Sequence, residues 1–121
     1  MSQQRSVSLH IDMQAIRDYA DITGDYNPIH LDPVFAAKTP MGGVIAHGTL
    51  SMNLIWRHIE LNHGLAAMQG AEIDIKFVAP VRVGDTLTVK VGASSEEVQS
   101  VSVVNQSGIA VIDGVMRLPG A

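Results

Sequence analysis

Two short segments of the chain hold residue types able to do acid–base chemistry. The first is Gly24-Asp25-Tyr26-Asn27-Pro28-Ile29-His30. Taken alone, a G-D-x-N-P string is most often a turn, because Asp and Asn bond their own backbone there. Its functional reading is that proline holds a carboxylate, Asp25, and an imidazole, His30, on one rigid loop where both face a single water. Such a pair is competent as general acid and base near neutral pH. The second segment is Val44-Ile45-Ala46-His47-Gly48-Thr49-Leu50. Gly48 falls where a helix begins, so backbone N–H groups there lack intrahelical partners and the helix dipole is positive. A glycine lets a ligand oxygen approach that backbone closely, which would suit a developing oxyanion. The plain alternative is a glycine needed only for close packing of helix on sheet.

Other candidates are weaker. His58 and His63 stand five apart and His10 is remote, so no metal-ligand spacing is present and no metal is expected. Ser51 lacks a G-x-S-x-G context and reads as an ordinary helix residue. Arg57, His58 and Glu60 read as the solvated end of a helix. Lys76, Arg82 and Arg117 could meet phosphates, but scattered surface charge accounts for them equally well.

The elements that must position these groups follow from periodicity. Val7, Leu9 and Ile11 alternate as a short strand, and Asp12 can cap a helix with Met13, Ile16, Tyr19 and Ala20 on one stripe. Thr23-Gly24 ends that helix. From Gly24 to Gly48 no long period holds; Pro28 forces Asn27 into extended geometry, and Asp32-Pro33 predicts a short helix over 33–38. An irregular stretch of this length in a small domain is usually functional. A helix follows over 47–62, its first half apolar on nearly all sides and so expected to be buried. The rest is β: Ile73, Ile75 and Phe77 alternate, then Leu87, Val89 and Val91, then Val101 and Val103. The last strand, 109–118, is apolar on both faces, with Asp113-Gly114 as an expected bulge. The result is an α+β domain, an antiparallel β-sheet wrapped around a central buried helix.

The 121 residues make one domain, 1–121, and 46% of them are hydrophobic, enough for a core. A mean hydropathy of +0.19 argues against disorder. Aromatic residues number only five, so the core is aliphatic. Eight basic and twelve acidic residues give a net charge of −4 without a basic cluster, which speaks against nucleic acid as a partner. The absence of cysteine excludes disulfides, thiolate metal sites and a thiol nucleophile. Neither a signal-peptide pattern nor a run of about 18 apolar residues is present, so the expectation is a cytoplasmic protein with no membrane partner.

Together the two motifs resemble the signature of the MaoC-like, (R)-specific enoyl-thioester hydratase family of the hotdog fold. The first reads GDYNPIHLDPVFA over 24–36 and the second VIAHGTLS over 44–51; KFVAPVRVGDTL, over 76–87, is similar to the family's strand–turn–strand segment. The resemblance implies that Asp25 and His30 are the catalytic pair, that Asn27 helps fix the site, and that the Gly48 N–H meets the thioester oxygen. Water would add at C3 and a proton at C2 of a trans-2-enoyl thioester of CoA or an acyl carrier protein, or the reverse. Either Asp25 or His30 could take the water proton. No cofactor is implied. Tyr26 and His47, from the same motifs, are expected along the substrate. Where some members carry a small hydroxyl residue eight positions after the motif glycine, this chain has Trp56, which could floor the acyl pocket or simply pack in the core. Rival readings are a hotdog thioesterase, which commonly needs a carboxylate on the central helix, and a non-catalytic acyl-thioester-binding or partner subunit. A homodimer is expected, since a sheet around one helix leaves edges that a two-fold partner could cover.

Overall fold

The computed structural model describes residues 5–95 and 98–119. Of the expected domain 1–121, residues 1–4, 96–97 and 120–121 therefore lie outside the described residues. β1 (Ser8–His10) leads into α1 (Met13–Thr23), then α2 (Pro28–Leu31), α3 (Pro33–Ala37) and α4 (Gly48–His63). A 3-10 turn over Leu65–Met68 precedes β2 (Glu72–Phe77), β3 (Thr86–Ser95), β4 (Val98–Val104) and β5 (Ala110–Arg117). The five strands form one antiparallel sheet in the order β1-β3-β4-β5-β2. Among the described residues no helix is long and apolar enough to cross a membrane.

Caps explain where the helices start. The Asp12 carboxylate accepts from the Ala15 N–H, and Gly24 closes α1 in the left-handed region at φ 76°, where only glycine is at ease. α3 opens as expected on Asp32, whose carboxylate accepts from Val34 and Phe35, with Pro33 at its first position. One turn of helix, α2, was not expected. It follows the same rule five residues earlier: Asn27 caps it through the Ile29 N–H, and Pro28 stands first.

The core lies between α4 and the sheet, where Leu54, Ile55 and Ile59 pack among Leu87, Val101, Val103, Ile112 and Met116. α4 differs from the expectation in two ways. Its first half is not enclosed: Gly48, Thr49 and Asn53 are exposed, because one stripe of Ser51, Leu54, Ile55, His58 and Ile59 suffices to meet the sheet. His58, expected in solvent, belongs to that stripe and is 3% exposed.

The bulge also falls elsewhere. Asp113 and Gly114 keep regular register with β2 and β4; the shift lies between the Val103–Ile112 and Val104–Ala110 pairs. That places Val111 as the extra residue, and with it both Val111 and Ile112 are buried in succession. Gly114 serves close approach instead: a Cβ there would stand 2.1 Å from the Asp74 carbonyl oxygen and 2.7 Å from the Ile75 Cα.

Candidate active site

The site is assembled from three backbone devices. Gly24 turns the chain out of α1, and the Asp25 carboxylate then accepts the Asn27 N–H through Oδ1 at 3.2 Å. That leaves Oδ2 free. Asn27 caps α2, the turn of helix that carries His30, and its carbonyl accepts the His30 N–H at 2.9 Å. Asn27 thus couples the carboxylate to the imidazole through the backbone.

The His30 ring is fixed by its own hydrogen bond. Nδ1 lies 2.8 Å from the Ile45 carbonyl, which can only accept, so Nδ1 carries the proton and Nε2 of the neutral ring is an acceptor. Nε2 faces Asp25 Oδ2 at 3.9 Å. This gap is too long for a direct hydrogen bond and is the span that one bridging water closes. His30 is nearly buried while the Asp25 carboxylate is open to solvent on one side. A water seated here would meet two acceptors, leaving its own lone pairs for a third partner.

His47 sits beneath the pair. Its Nε2 donates to the Asp25 carbonyl at 3.0 Å, and its ring stacks on His30 with centroids 3.9 Å apart. Tyr19 meets its other side edge-on at 5.1 Å and donates its hydroxyl to Thr49 Oγ1. His47, expected along the substrate, is 3% exposed, its ring packed against both His30 and Tyr19. Asp25, His30 and His47 offer nitrogen and oxygen atoms within 4.8 Å of one another. Metal-ligand lone pairs lie in the imidazole plane, however, and rings stacked at 26° aim them side by side, not at one point about 2.0–2.1 Å from each. The cluster is arranged for hydrogen bonding.

Gly48 follows His47 directly and opens α4, whose first turn has no side-chain cap. Its exposed N-terminus therefore keeps free donors and a positive dipole end beside the imidazoles. A Cβ at Gly48 would stand 3.1 Å from the Phe77 ring, so the glycine serves close packing. A cavity of about 330 Å³ adjoins Gly48, lined by Ile45, Ala46, Ser51, Phe77 and Ile112 among others. Asp25 and His30 do not line it; the segment that bonds His30 through the Ile45 carbonyl forms part of its wall.

Two expected substrate contacts fall away from this cavity. The Tyr26 hydroxyl donates to Asp21 on α1 at 2.9 Å and lines a separate hollow with Arg17 and Leu31. That hydrogen bond, with lesser help from burial and the Asp21 charge, raises the phenol above its usual range. Trp56 packs part-buried against the core and is absent from the cavity wall. The helix accounts for this: at about 100° per residue Trp56 lies roughly 140° around α4 from Ser51, which does line the cavity. Ser51 is the residue that spacing passed over. Only the turn of α4 that places it next to Gly48, on the sheet-facing stripe, could have signalled it.

An antiparallel sheet curled against one long helix, with a polar loop folded over the helix N-terminus, defines the hotdog class. Within that class, the chain belongs to the family of the MaoC like domain, which its residues 1–113 match. Over 74 residues it is 46% identical to the 3-hydroxybutyryl-CoA dehydratase of Methylorubrum extorquens, covering 60% of this chain and 46% of that one. It is 37% identical over 81 residues to 3-hydroxyacyl-thioester dehydratase Z of Mycobacterium tuberculosis, covering 61% and 52%. The chain thus spans about half the length of these curated relatives. The solved (R)-hydratase of Aeromonas caviae superposes with a TM-score of 0.74 at 29% identity, over 97% of this chain and 95% of that one.

Proposed function

We propose that the protein catalyses (R)-specific addition of water to a trans-2-enoyl thioester, or the reverse dehydration, on CoA or an acyl carrier protein. The observation that carries the reading is the 3.9 Å gap between Asp25 Oδ2 and His30 Nε2, with the His30 tautomer fixed by Ile45. The names of the relatives support the same chemistry.

Both protons of a water in that gap point at acceptors, so its oxygen lone pair is directed at C3 of the substrate. As the C3–O bond forms, one proton passes to Asp25 or His30, and the π electrons move onto the thioester oxygen. The Gly48 N–H at the uncapped start of α4 stabilises that oxygen as charge develops. The protonated group then returns a proton to C2, giving the 3-hydroxyacyl thioester. His47, Asn27 and the Ile45 carbonyl keep the pair preorganised so that little reorganisation accompanies the reaction.

A homodimer accords with the free outer edge of β2 and with Phe77 and Val78, which are 55% and 52% exposed at the cavity rim. Sedimentation at a single 12.9 kDa mass would contradict it. The activity is tested by incubating purified protein with crotonyl-CoA and trans-2-hexenoyl-CoA. Loss of the enoyl absorbance with formation of the (R)-3-hydroxy product is the expected result. Release of free thiol without hydration would overturn the reading in favour of a thioesterase, and binding without turnover would favour a non-catalytic acyl-thioester partner.

A further inference from the structure

Ser51 presents a hydroxyl that nothing in the fold uses. It is 1% exposed, and its Oγ has no hydrogen-bond partner. A helical serine ordinarily relieves itself on the carbonyl four residues back. Here that carbonyl belongs to His47 and accepts the Leu50 N–H at 3.1 Å, while Ser51 makes no such bond. Buried polar groups are nearly always satisfied, so an orphan in a cavity wall calls for a ligand.

The wall is otherwise apolar. Met41, Ile45, Phe77, Val81 and Ile112 are typical of it, and Ser51 is the single polar side chain among the described residues that line it. An apolar pocket with one placed polar group is the usual design for orienting a small ligand. Ser51 stands three residues beyond Gly48, so it lies about 60° around α4 and about 4.5 Å along it from the proposed thioester anchor. An extended acyl chain covers that distance in three or four bonds, which brings the level of C4 to C5 abreast of the hydroxyl.

We infer that Ser51 sets substrate specificity by donating a hydrogen bond to an oxygen carried at that level of the acyl chain, so that oxygenated acyl thioesters are preferred over plain alkyl ones. The inference rests on the enoyl-thioester reading given above. A chain lacking the oxygen leaves the hydroxyl unpaired in an apolar wall, which is how a polar group in a pocket discriminates.

The test compares 4-methoxy-trans-2-butenoyl-CoA with trans-2-hexenoyl-CoA, isosteres that differ by an ether oxygen in place of one methylene. In the Ser51→Ala protein the ratio of kcat/KM for the ether over the alkyl substrate should fall about tenfold relative to the native protein. The same shift should appear in the ratio of dissociation constants of the saturated 4-methoxybutanoyl-CoA and hexanoyl-CoA, measured calorimetrically. Ratios unchanged within twofold in both measurements overturn the role of Ser51. If the native protein turns over neither enoyl substrate, the hydratase reading fails while the dissociation constants still decide the Ser51 question. Failure of the native protein to bind either saturated ester overturns both.

Discussion

A pair of histidines stands near each end of α4, and the two pairs differ in what surrounds them. At its start His30 and His47 stack face to face at 3.9 Å, and each gives one ring nitrogen to a backbone carbonyl. At its finish His58 and His63 meet edge-on at 6.4 Å. There His58 Nδ1 accepts from the Asn62 amide at 3.2 Å, and Asn62 is locked in turn by bonds to both the N–H and the carbonyl of Arg5. In His30, His47 and His58 alike one ring nitrogen is bonded and one is left, that of His47 being buried without a partner. The leftover nitrogen of His30 faces a carboxylate open to solvent; that of His58 is buried without a partner. An imidazole becomes acid–base equipment when its remaining nitrogen shares a water with a second titratable group. Without that group it becomes part of the packing, and burial, seconded by the nearby His63, pulls the His58 pKa below its ordinary value.

The largest consequence of this contrast falls on Asp25. Asp25→Asn keeps the shape and the Asn27 N–H contact but cannot accept a proton, so hydration should fall by about 10²–10⁴ with melting temperature nearly unchanged. A folded variant within threefold of the native rate would remove the distinction between the two histidine pairs.

Trp56 sharpens the same comparison from the packing side. Because it faces away from the cavity wall, Trp56→Ala should cost stability, about 2–4 kcal/mol for a part-buried indole, and leave the ranking of C4, C6 and C8 enoyl-CoA substrates intact. Thermal melts and kcat/KM for the three chain lengths check this. A shift toward longer chains in a folded variant would return Trp56 to the pocket floor.

The smallest effect concerns His58. Its folded-state pKa lies below the ordinary 6.5, so in the window beneath 6.5 the unfolded chain binds more protons than the folded one. Stability is therefore greatest above 6.5 and declines as pH falls toward the folded pKa. His58→Gln should flatten that part of the melting-temperature profile relative to the native protein. An identical slope in both proteins would assign the pH dependence to other groups.

How far these features could be read from sequence depended on how local their causes are. Asp12 and Gly24 bracket α1, and Asp32-Pro33 opens α3, because each cap acts within a few residues. Asn27-Pro28 carries the same signature, but a single turn of helix gives no period to notice, so the element that orients His30 went unseen while Asp25, Asn27 and His30 themselves stood out. His58 misled for a different reason: its neighbours Arg57 and Glu60 are polar, and the network around it runs through Asn62 to Arg5, 57 residues from Asn62. The bulge at Val111 and the cavity beside Ser51 are likewise products of strand register and helix rotation, which no spacing along the chain encodes.

The central claim is that Asp25 and His30 act as one unit on one water, and a double-mutant cycle tests it most directly. Asp25→Asn, His30→Gln and the double variant are compared by kcat/KM for hydration of crotonyl-CoA, with folding checked by melting. If both residues hold the same water, the double variant loses no more than about the larger of the two single losses, since either change alone already disables the unit. Losses that multiply would show two independent contributions and contradict the shared-water site.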